Sequence, residues 1–485
     1  MNIKTYRNIL FDLLNITVDI ALILLAIWAA GLLANWLGLP GILDIRLIIA
    51  YVVSMIGMLN IYEMYGKLIR NKYEILLSIA ISCAFSSILV AIIHEAFAGY
   101  FSPVHHLFYV FSAMLIFILI GCWKLAVIKI AKAIEGVPKL LVIESKTVVN
   151  SLARKVKYSY ATIYEAWYQM IDADAPEEVE AIIRSMQDYS GVFISPNIPD
   201  DVRDHLIAKA VSLGKEIYIL PNLYNISVMK NEMVQFDDLP ALRLKPFELT
   251  RAQRTVKRAF DIVISSLGIL ITSPVMLICA LAIKLDSRGP ILYKQERLTY
   301  KQKHFMIYKF RTMVQDAEKQ TGAVLATNDD PRITRTGRIL RLLRIDELPQ
   351  LFNILFGDMS VVGPRPERPV FVEQYLKEID NYDKRFHTKA ALTGLAQVYA
   401  RYDTSAKDKT LYDLLYIKDY SFWLDIKLIL LTLKIIFMRE HAEGVKEEPP
   451  YEAAARAKSE QERQEALAAI EKKADLTADD PAHTE

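Results

Sequence analysis

Hydrophobic and polar positions divide the chain into four zones. Four long apolar runs come first, at residues 12–37, 46–66, 74–97 and 107–130. Each is long enough to cross ~30 Å of hydrocarbon at 1.5 Å per residue. They predict a four-helix transmembrane bundle over 1–135. The first run is not expected to be a secretory signal, because its apolar core is too long and more spans follow. From 136 to 248 the pattern shortens. "KLLVIE", "GVFISP" and "KEIYILP" read as buried strands, and "PEEVEAIIRSMQDY" and "PDDVRDHLIAKAVSLG" as helices between strands. That alternation predicts a small parallel α/β domain. A fifth apolar run, 262–283, lies near the start of a third zone over 249–440 that is dense in polar motifs. Over 441–485 the chain is polar and rich in Glu, Lys and Ala, which predicts a disordered tail or a solvated helix.

Basic residues orient the spans. Lys4 and Arg7 precede the first, Lys67, Arg70 and Lys72 follow the second, and Lys129, Lys132 and Lys139 follow the fourth; "HEAFAGYFSPVHH" has neither Lys nor Arg. Both ends of the bundle are therefore expected on the cytoplasmic side. In the fifth run, "ITSPVM" puts Pro274 at the centre. Proline lacks an amide hydrogen and crowds the carbonyl of Leu270, so a break is expected at Ser273–Pro274, with the Thr272 and Ser273 hydroxyls serving the freed backbone. Arg254, Lys257 and Arg258 precede the run and Lys284 and Arg288 follow it. Positive charge on both sides suits a re-entrant helix over 258–285, which dips into the bilayer and returns. An ordinary kinked fifth span is the alternative.

Composition adds a little. The 485 residues allow roughly two to four domains. Mean hydropathy of +0.21 with 24% charged residues fits apolar segments joined to ordinary domains. A net charge of +2 is near neutral and points to no partner. Cys83, Cys122 and Cys279 lie in apolar runs without metal-ligand spacing and read as buried thiols in a reduced compartment. His105–His106 reads as interfacial. The turn after the first strand of the α/β zone, "ESKTVVNSL", holds no glycine. A dinucleotide site needs glycines there, so the domain is expected to be a degenerate Rossmann-like module that binds none.

The chemistry is concentrated in residues 287–400. Arg332, Arg335, Arg338, Arg341 and Arg344 recur at every third position up to the pair Asp346–Glu347. "DELPQLFNILFG" reads as a helix with Asp346 as N-cap, Glu347 first, Leu348, Leu351, Phe352 and Leu355 on one apolar face, and Gly357 as its stop. A helix N-terminus favours negative charge, so Asp346 is expected to be ionised and the free amides to help hold phosphate. An ionised carboxylate attacks a diphosphate once cations neutralise the phosphate charge. The competing reading is that the pair only caps a helix. Lys309 and Arg311 alternate in "YKFRTM" and are expected to share a strand face toward phosphate. Arg332 binds phosphate or pairs with Asp329 or Asp330. Arg365, fixed between two prolines in "GPRP", presents a fork suited to phosphate. Part of the arginine ladder is left to meet anionic headgroups. Residues 420–440 read as an interfacial amphipathic helix, with a core helix as the alternative.

"KFRTM", "DPRITRTGR", "DELPQL" and "VGPRP", behind a basic-flanked helix with Ser-Pro, resemble in kind and order the polyprenyl-phosphate hexose-1-phosphate transferases. These are the monotopic phosphoglycosyl transferases of bacterial cell-surface glycan assembly, here in their long form. One position departs: in "AALTGLAQV", Ala396 stands where the family often has tryptophan. The resemblance implies a membrane α/β protein made of a four-helix bundle, a degenerate Rossmann-like domain and a catalytic domain with a re-entrant helix. It implies transfer of a hexose-1-phosphate from a UDP-sugar to undecaprenyl phosphate with release of UMP, as the first membrane step of exopolysaccharide, capsule or O-antigen synthesis. Asp346 attacks to form a phosphosugar enzyme, and Glu347 with Asp346 holds Mg²⁺. Lys309, Arg311, Arg332 and Arg365 bind substrate phosphate. UDP-sugars are cytosolic, so a multi-pass protein of the bacterial inner membrane with its catalytic domain in the cytoplasm is expected. Membrane lipids are expected partners, a homodimer is admitted, and nucleic acid is not expected. The rival from another class is an inert membrane-anchored regulatory or scaffold protein.

Overall fold

The computed structural model describes residues 3–38, 44–65, 72–98, 103–135, 138–146, 165–172, 175–315, 330, 332–400 and 404–436. The tail expected over 441–485 and most of the glycine-free turn lie outside them. Four apolar helices open the chain: α1 (Ile3–Trp36), α2 (Ile45–Ile61), α3 (Lys72–Ala98) and α4 (Pro103–Glu135). Helix α1 packs on α2 and α4, and α3 on the same two. Ile23, Ala30, Met55, Ile79 and Ile116 are fully buried between them, while Trp28, Val53, Ile88 and Ile118 are exposed on the outside. Cys83 and Cys279 are buried as expected, but Cys122 is exposed, because it lies on the outer face of α4. A helix satisfies its own backbone, so an apolar outer surface suits hydrocarbon. Leu10–Trp36, Lys72–Phe97 and His106–Ile130 are long and apolar enough to cross a membrane; α2, at 17 residues, is shorter. The bundle holds one deeply buried ion pair, Lys124 to Asp19 at 2.6 Å, with the Tyr65 hydroxyl donating to the same Asp19 oxygen at 2.9 Å. It ties α1 to α4.

The second zone contains a four-stranded parallel sheet. Its strands are β1 (Lys139–Ser145), β2 (Glu165–Ile171), β3 (Gly191–Ile194) and β4 (Glu216–Ile219), in the order β2-β1-β3-β4. Helices α5 (Pro176–Ser185) and α6 (Asp200–Ser212) connect strands and bury Ile182, Ile183 and Leu206 against Leu141, Ile143, Val192 and Ile194. Sequence patterning finds β1, β3, β4 and both helices but misses β2. That strand is an edge, with Trp167, Tyr168 and Met170 exposed, so it lacks the continuous apolar run of a central strand. A short helix α7 (Leu223–Val228) and a hairpin, β5 (Glu232–Phe236) with β6 (Leu239–Arg243), lead onward.

The third zone is built on α8 (Arg251–Asp286), capped at Thr250 by a capping box with Gln253. At 36 residues it is ~54 Å long. The break expected at Ser273–Pro274 does not interrupt it, and Pro274 lies inside one helix. The reason is local. Pro274 deprives the Leu270 carbonyl of its donor, and the Ser273 hydroxyl donates to that oxygen at 2.9 Å; the Thr272 hydroxyl donates to the Gly268 carbonyl at 2.7 Å. One face of α8 is exposed and apolar, with Ile262, Leu270, Ile271, Leu277 and Leu281. The other face follows a single α/β unit over its length. Asp261 accepts from the Ser360 hydroxyl and the Val361 amide, both at 2.9 Å. Gly268 meets Leu351, and Cys279 and Ile283 pack with Phe310 and Leu340.

That unit comprises an antiparallel hairpin, β7 (Leu292–Leu298) with β8 (His304–Phe310), and helices α9 (Arg335–Leu342) and α10 (Gln350–Phe356). After them come β9 (Ser360–Val362), α11 (Pro369–Glu378), β10 (Ala391–Thr393), α12 (Leu395–Tyr399), α13 (Ala406–Lys418) and α14 (Phe422–Ile436). Strands β9 and β10 pair in parallel. Helix α14 is a core helix and not an interfacial one. Leu428 and Leu431 are buried, Lys257 pairs with Asp425 at 2.6 Å, and Lys427 and Lys434 reach Glu63 and Glu74 beside the bundle at 2.9 and 3.2 Å. The polar positions that suggested a wet face are ion pairs between units.

Candidate active site

The dyad lies on a tight turn between two short helices. Thr334 caps α9, its hydroxyl accepting from the Gly337 amide at 3.0 Å. Gly337 is required by contact: a Cβ there would sit 2.1 Å from the Thr312 carbonyl oxygen. After Leu342 the chain turns at Arg344, whose φ of 55° is left-handed, into a 3₁₀ turn, Ile345–Glu347. Helix α10 starts only at Gln350, with Pro349 as its N-cap and Gly357 (φ +96°) as its stop. Asp346 is therefore not a helix N-cap, and the dipole argument for its ionisation does not apply. The buried face of α10 carries Gln350, Leu351, Asn353 and Ile354, while Phe352 and Phe356 point outward. Of the expected apolar face, Leu351 is buried but Phe352 is not, because polar Gln350 and Asn353 take inward positions, with the Asn353 side chain bonded to the Met306 carbonyl and the Tyr308 amide.

Asp346 and Glu347 are both buried. Glu347 Oε1 accepts from Lys309 Nζ at 2.8 Å and from Arg365 Nη2 at 2.9 Å. Burial raises the Glu347 carboxyl, but the Lys309 and Arg365 charges outweigh it and hold the group well below the usual carboxylate range. Asp346 goes the other way. Burial first, and then the neighbouring Glu347 charge, push it up to about 6, against the pull of Lys309, Arg344 and Arg341. Its Oδ1 is buried and accepts no hydrogen bond. An unpartnered carboxylate oxygen beside a second carboxylate is a hard donor set of the kind Mg²⁺ takes. Among the described residues no group of three or more His, Cys, Asp or Glu converges. The protein thus offers two carboxylates, and phosphate oxygens or water must complete any cation's shell.

The structure brings together Asp346, Glu347, Lys309 and Arg365. It does not bring Arg311 or Arg332 to the dyad. Arg311 is buried, and its guanidinium donates to the Ser287 and Arg288 carbonyls at 2.8 and 2.9 Å and to the Ser287 hydroxyl. It closes the turn after α8, and Gly289 (φ +128°) leaves it room that any Cβ would fill. Arg332 pairs with Asp330 at 2.6 Å and pushes that carboxyl down to about 2. Ser273 and Pro274 lie on α8.

Four further residues shape the site. The Arg365 carbonyl accepts from buried Arg385 Nη2 at 2.9 Å; Arg385 pairs with Asp413 at 2.8 Å and bonds the Tyr382 hydroxyl. Arg297 Nη1 donates to the Pro366 carbonyl at 3.1 Å. These bonds fix the backbone of the Pro364–Pro366 loop from which Arg365 reaches Glu347. Nothing local in the sequence signals Arg385 or Asp413, because their partners are distant in the chain. Arg297 stands in a polar strand with no spacing cue.

Comparison with known proteins gives one family match and three similar relatives, all consistent. The bacterial sugar transferase family matches residues 252–439. A UDP-glucose:undecaprenyl-phosphate glucose-1-phosphate transferase of Caulobacter vibrioides is 40% identical over 191 residues, 38% of this chain and 71% of that protein. A protein of the same description from Klebsiella pneumoniae is 34% identical over 257 residues, 52% of this chain and 55% of its own length. A UDP-N-acetylgalactosamine-undecaprenyl-phosphate N-acetylgalactosaminephosphotransferase of Aeromonas hydrophila is 45% identical over 184 residues, 37% of this chain and 43% of its own length. In the last two cases the alignment spans about half of the relative.

Proposed function

The chain belongs to the bacterial sugar transferase family, and from that premise we propose that it transfers a sugar-1-phosphate from a UDP-sugar to undecaprenyl phosphate and releases UMP. The observation that carries this reading is the unequal pair of carboxylates. Glu347 is neutralised by Lys309 and Arg365, while Asp346 keeps a buried oxygen with no partner. Asp346 acts as the nucleophile. Its oxygen attacks the phosphorus that bears the sugar, the bond from that phosphorus to the bridging oxygen breaks, and UMP leaves with the electron pair. The undecaprenyl phosphate oxygen then attacks the same phosphorus, releases the Asp346 carboxylate and forms the sugar-diphospholipid. Lys309 and Arg365 hold Glu347 and face phosphate charge beside it, and Arg385 keeps Arg365 in position. Asp346 and Glu347 would hold a divalent cation such as Mg²⁺, which when bound neutralises phosphate charge during the attack.

The reaction is set at the cytoplasmic face of the bacterial inner membrane, where UDP-sugars are available. Helix α8 is re-entrant in this account. In a bilayer this needs a bend at Ser273–Pro274, because the uninterrupted helix of 36 residues is long and apolar enough to cross. In support, both of its halves pack on the same unit, near Ser360 and Leu351 at one end and near Phe310 and Leu340 at the other. The relatives' names include glucose, galactose and N-acetylgalactosamine, so the test is a panel of UDP-sugars that includes all three. The full chain in detergent with undecaprenyl phosphate should release UMP from one of them and form a lipid-linked product. Folded protein that releases none from any UDP-sugar overturns the proposal.

A further inference from the structure

A cavity of about 210 Å³ lies at the foot of α8, walled by Arg254, Lys257, Arg258, Tyr300, His387 and Lys389 with a single carboxylate, Asp261. At ~30 Å³ per water it has room for a phosphate and its adjoining ester atoms. Its charge is lopsided. Lys257 is neutralised by Asp425 at 2.6 Å. Asp261 is engaged by the Ser360 hydroxyl and the Val361 amide. The other three cations hydrogen-bond only neutral groups, although the Asp261 and Asp358 charges act on Lys389 from farther off. Arg258 donates to the Ile354 and Leu355 carbonyls, both at 2.7 Å, Lys389 to the Gly357 carbonyl at 2.6 Å, and Arg254 to the Tyr300 hydroxyl at 3.1 Å. Among the described residues none of the three makes a salt bridge. Burial, and then the Arg258 charge, push the Lys389 ammonium below its usual range. Capping the carbonyl end of α10 explains where two of these side chains point. It does not balance their charge, since a helix end supplies only about half a unit.

The cavity's position identifies what reaches it. The exposed apolar face of α8 begins at Val256, Ile262 and Val263, beside Arg254 and Arg258. Phe260 packs edge-on against Phe422 at 5.1 Å, and the next residue, Trp423, is 75% exposed. Aromatic residues at such a boundary mark the headgroup level of a bilayer. The dyad precedes the N-terminus of α10, and Arg258 and Lys389 hold its C-terminal end. Seven residues of helix separate the two, ~10 Å.

We propose that this cavity is a second anion site, which takes the phosphate of an anionic membrane lipid through Arg254, Arg258 and Lys389 and seats the foot of α8 at the headgroup level. It acts apart from the reacting phosphates at Asp346.

The test uses the full chain, purified in neutral detergent and offered phosphatidylglycerol or phosphatidylcholine, with bound lipid counted by native mass spectrometry. Arg254→Gln is the informative variant, because the side chain is exposed and touches only Tyr300, so the fold should survive; a melting curve checks this. The wild type should retain phosphatidylglycerol in preference to phosphatidylcholine, and Arg254→Gln should weaken that retention about tenfold, the loss of one charge-assisted contact. Inorganic phosphate is the second arm. Phosphate that displaces the lipid at comparable concentration reassigns the site to soluble phosphates and overturns the lipid assignment. Equal retention of the two lipids, or equal retention by wild type and variant, overturns the site itself. Bound lipid is the readout, so the outcome does not depend on turnover.

Discussion

Asp346 occupies a position that suits a nucleophile and not a stable fold. Its carboxyl, pushed up to about 6 by burial and by Glu347, is ionised over most of the population at neutral pH yet binds a proton more tightly than an ordinary aspartate. If the ionised form attacks, kcat/KM for the UDP-sugar should rise with pH and level off above about 6. A pH–rate profile flat through that region contradicts the assignment. The same shift has a stability consequence. The folded state binds the proton more tightly than the unfolded one, so stability falls as pH rises from 3.8 to about 6. Asp346→Asn should therefore abolish turnover and stabilise the protein at pH 7 by roughly 1–3 kcal/mol, a gain that fades in acid and is read in thermal melts. Glu347 has the opposite sign, because its depressed carboxyl contributes stability that is lost as pH falls. Glu347→Gln should lower the melting temperature at pH 7. The sequence motifs pointed to Asp346, Glu347, Lys309 and Arg365, which the structure brings together. They did not reveal that Arg311 is spent on the Ser287 and Arg288 carbonyls, or that Arg385 and Asp413 hold the Arg365 loop. Those facts depend on partners that only the fold brings near.

Among elements, the turn between α9 and α10 depends on how closely α9 approaches Thr312. Gly337→Ala puts a methyl 2.1 Å from a backbone oxygen that cannot swing away. It should cost about 3 kcal/mol in melting experiments and reduce turnover by displacing the dyad. Gly57→Ala, with open space around its Cβ, should be tolerated. Helix α8 carries the topology. Cysteines placed at Arg254 and at Lys284 should both be shielded from impermeant thiol reagents in intact cells. Labelling of the second alone contradicts the re-entrant helix and leaves a fifth span. Pattern reading located α8 from its apolar run and expected the Ser273 hydroxyl to serve the Leu270 carbonyl that Pro274 frees, as it does; the helix runs through Pro274 uninterrupted. Pattern reading also took α14 for a membrane-surface helix. An amphipathic helix that packs through ion pairs to Glu63 and Glu74 has the same one-dimensional pattern as one lying on lipid.

The whole molecule joins an apolar bundle, a parallel α/β domain and a catalytic unit, with α14 bonded both to the bundle side and to the core beneath β9 and β10. The change from long apolar helices to a parallel α/β pattern was legible because hydrophobic length and period change abruptly along the chain. Contacts between the zones were not, since no period encodes them. The central claim is that Asp346 of the full chain carries the sugar-phosphate between donor and lipid. Its most direct measurement is mass spectrometry of the protein incubated with its UDP-sugar in the absence of undecaprenyl phosphate. UMP should appear in an amount no greater than that of the enzyme, and a sugar-phosphate adduct should map to Asp346 and vanish when the lipid acceptor is added. An adduct on another residue, or full turnover only when both substrates are present and no adduct at any time, contradicts the account.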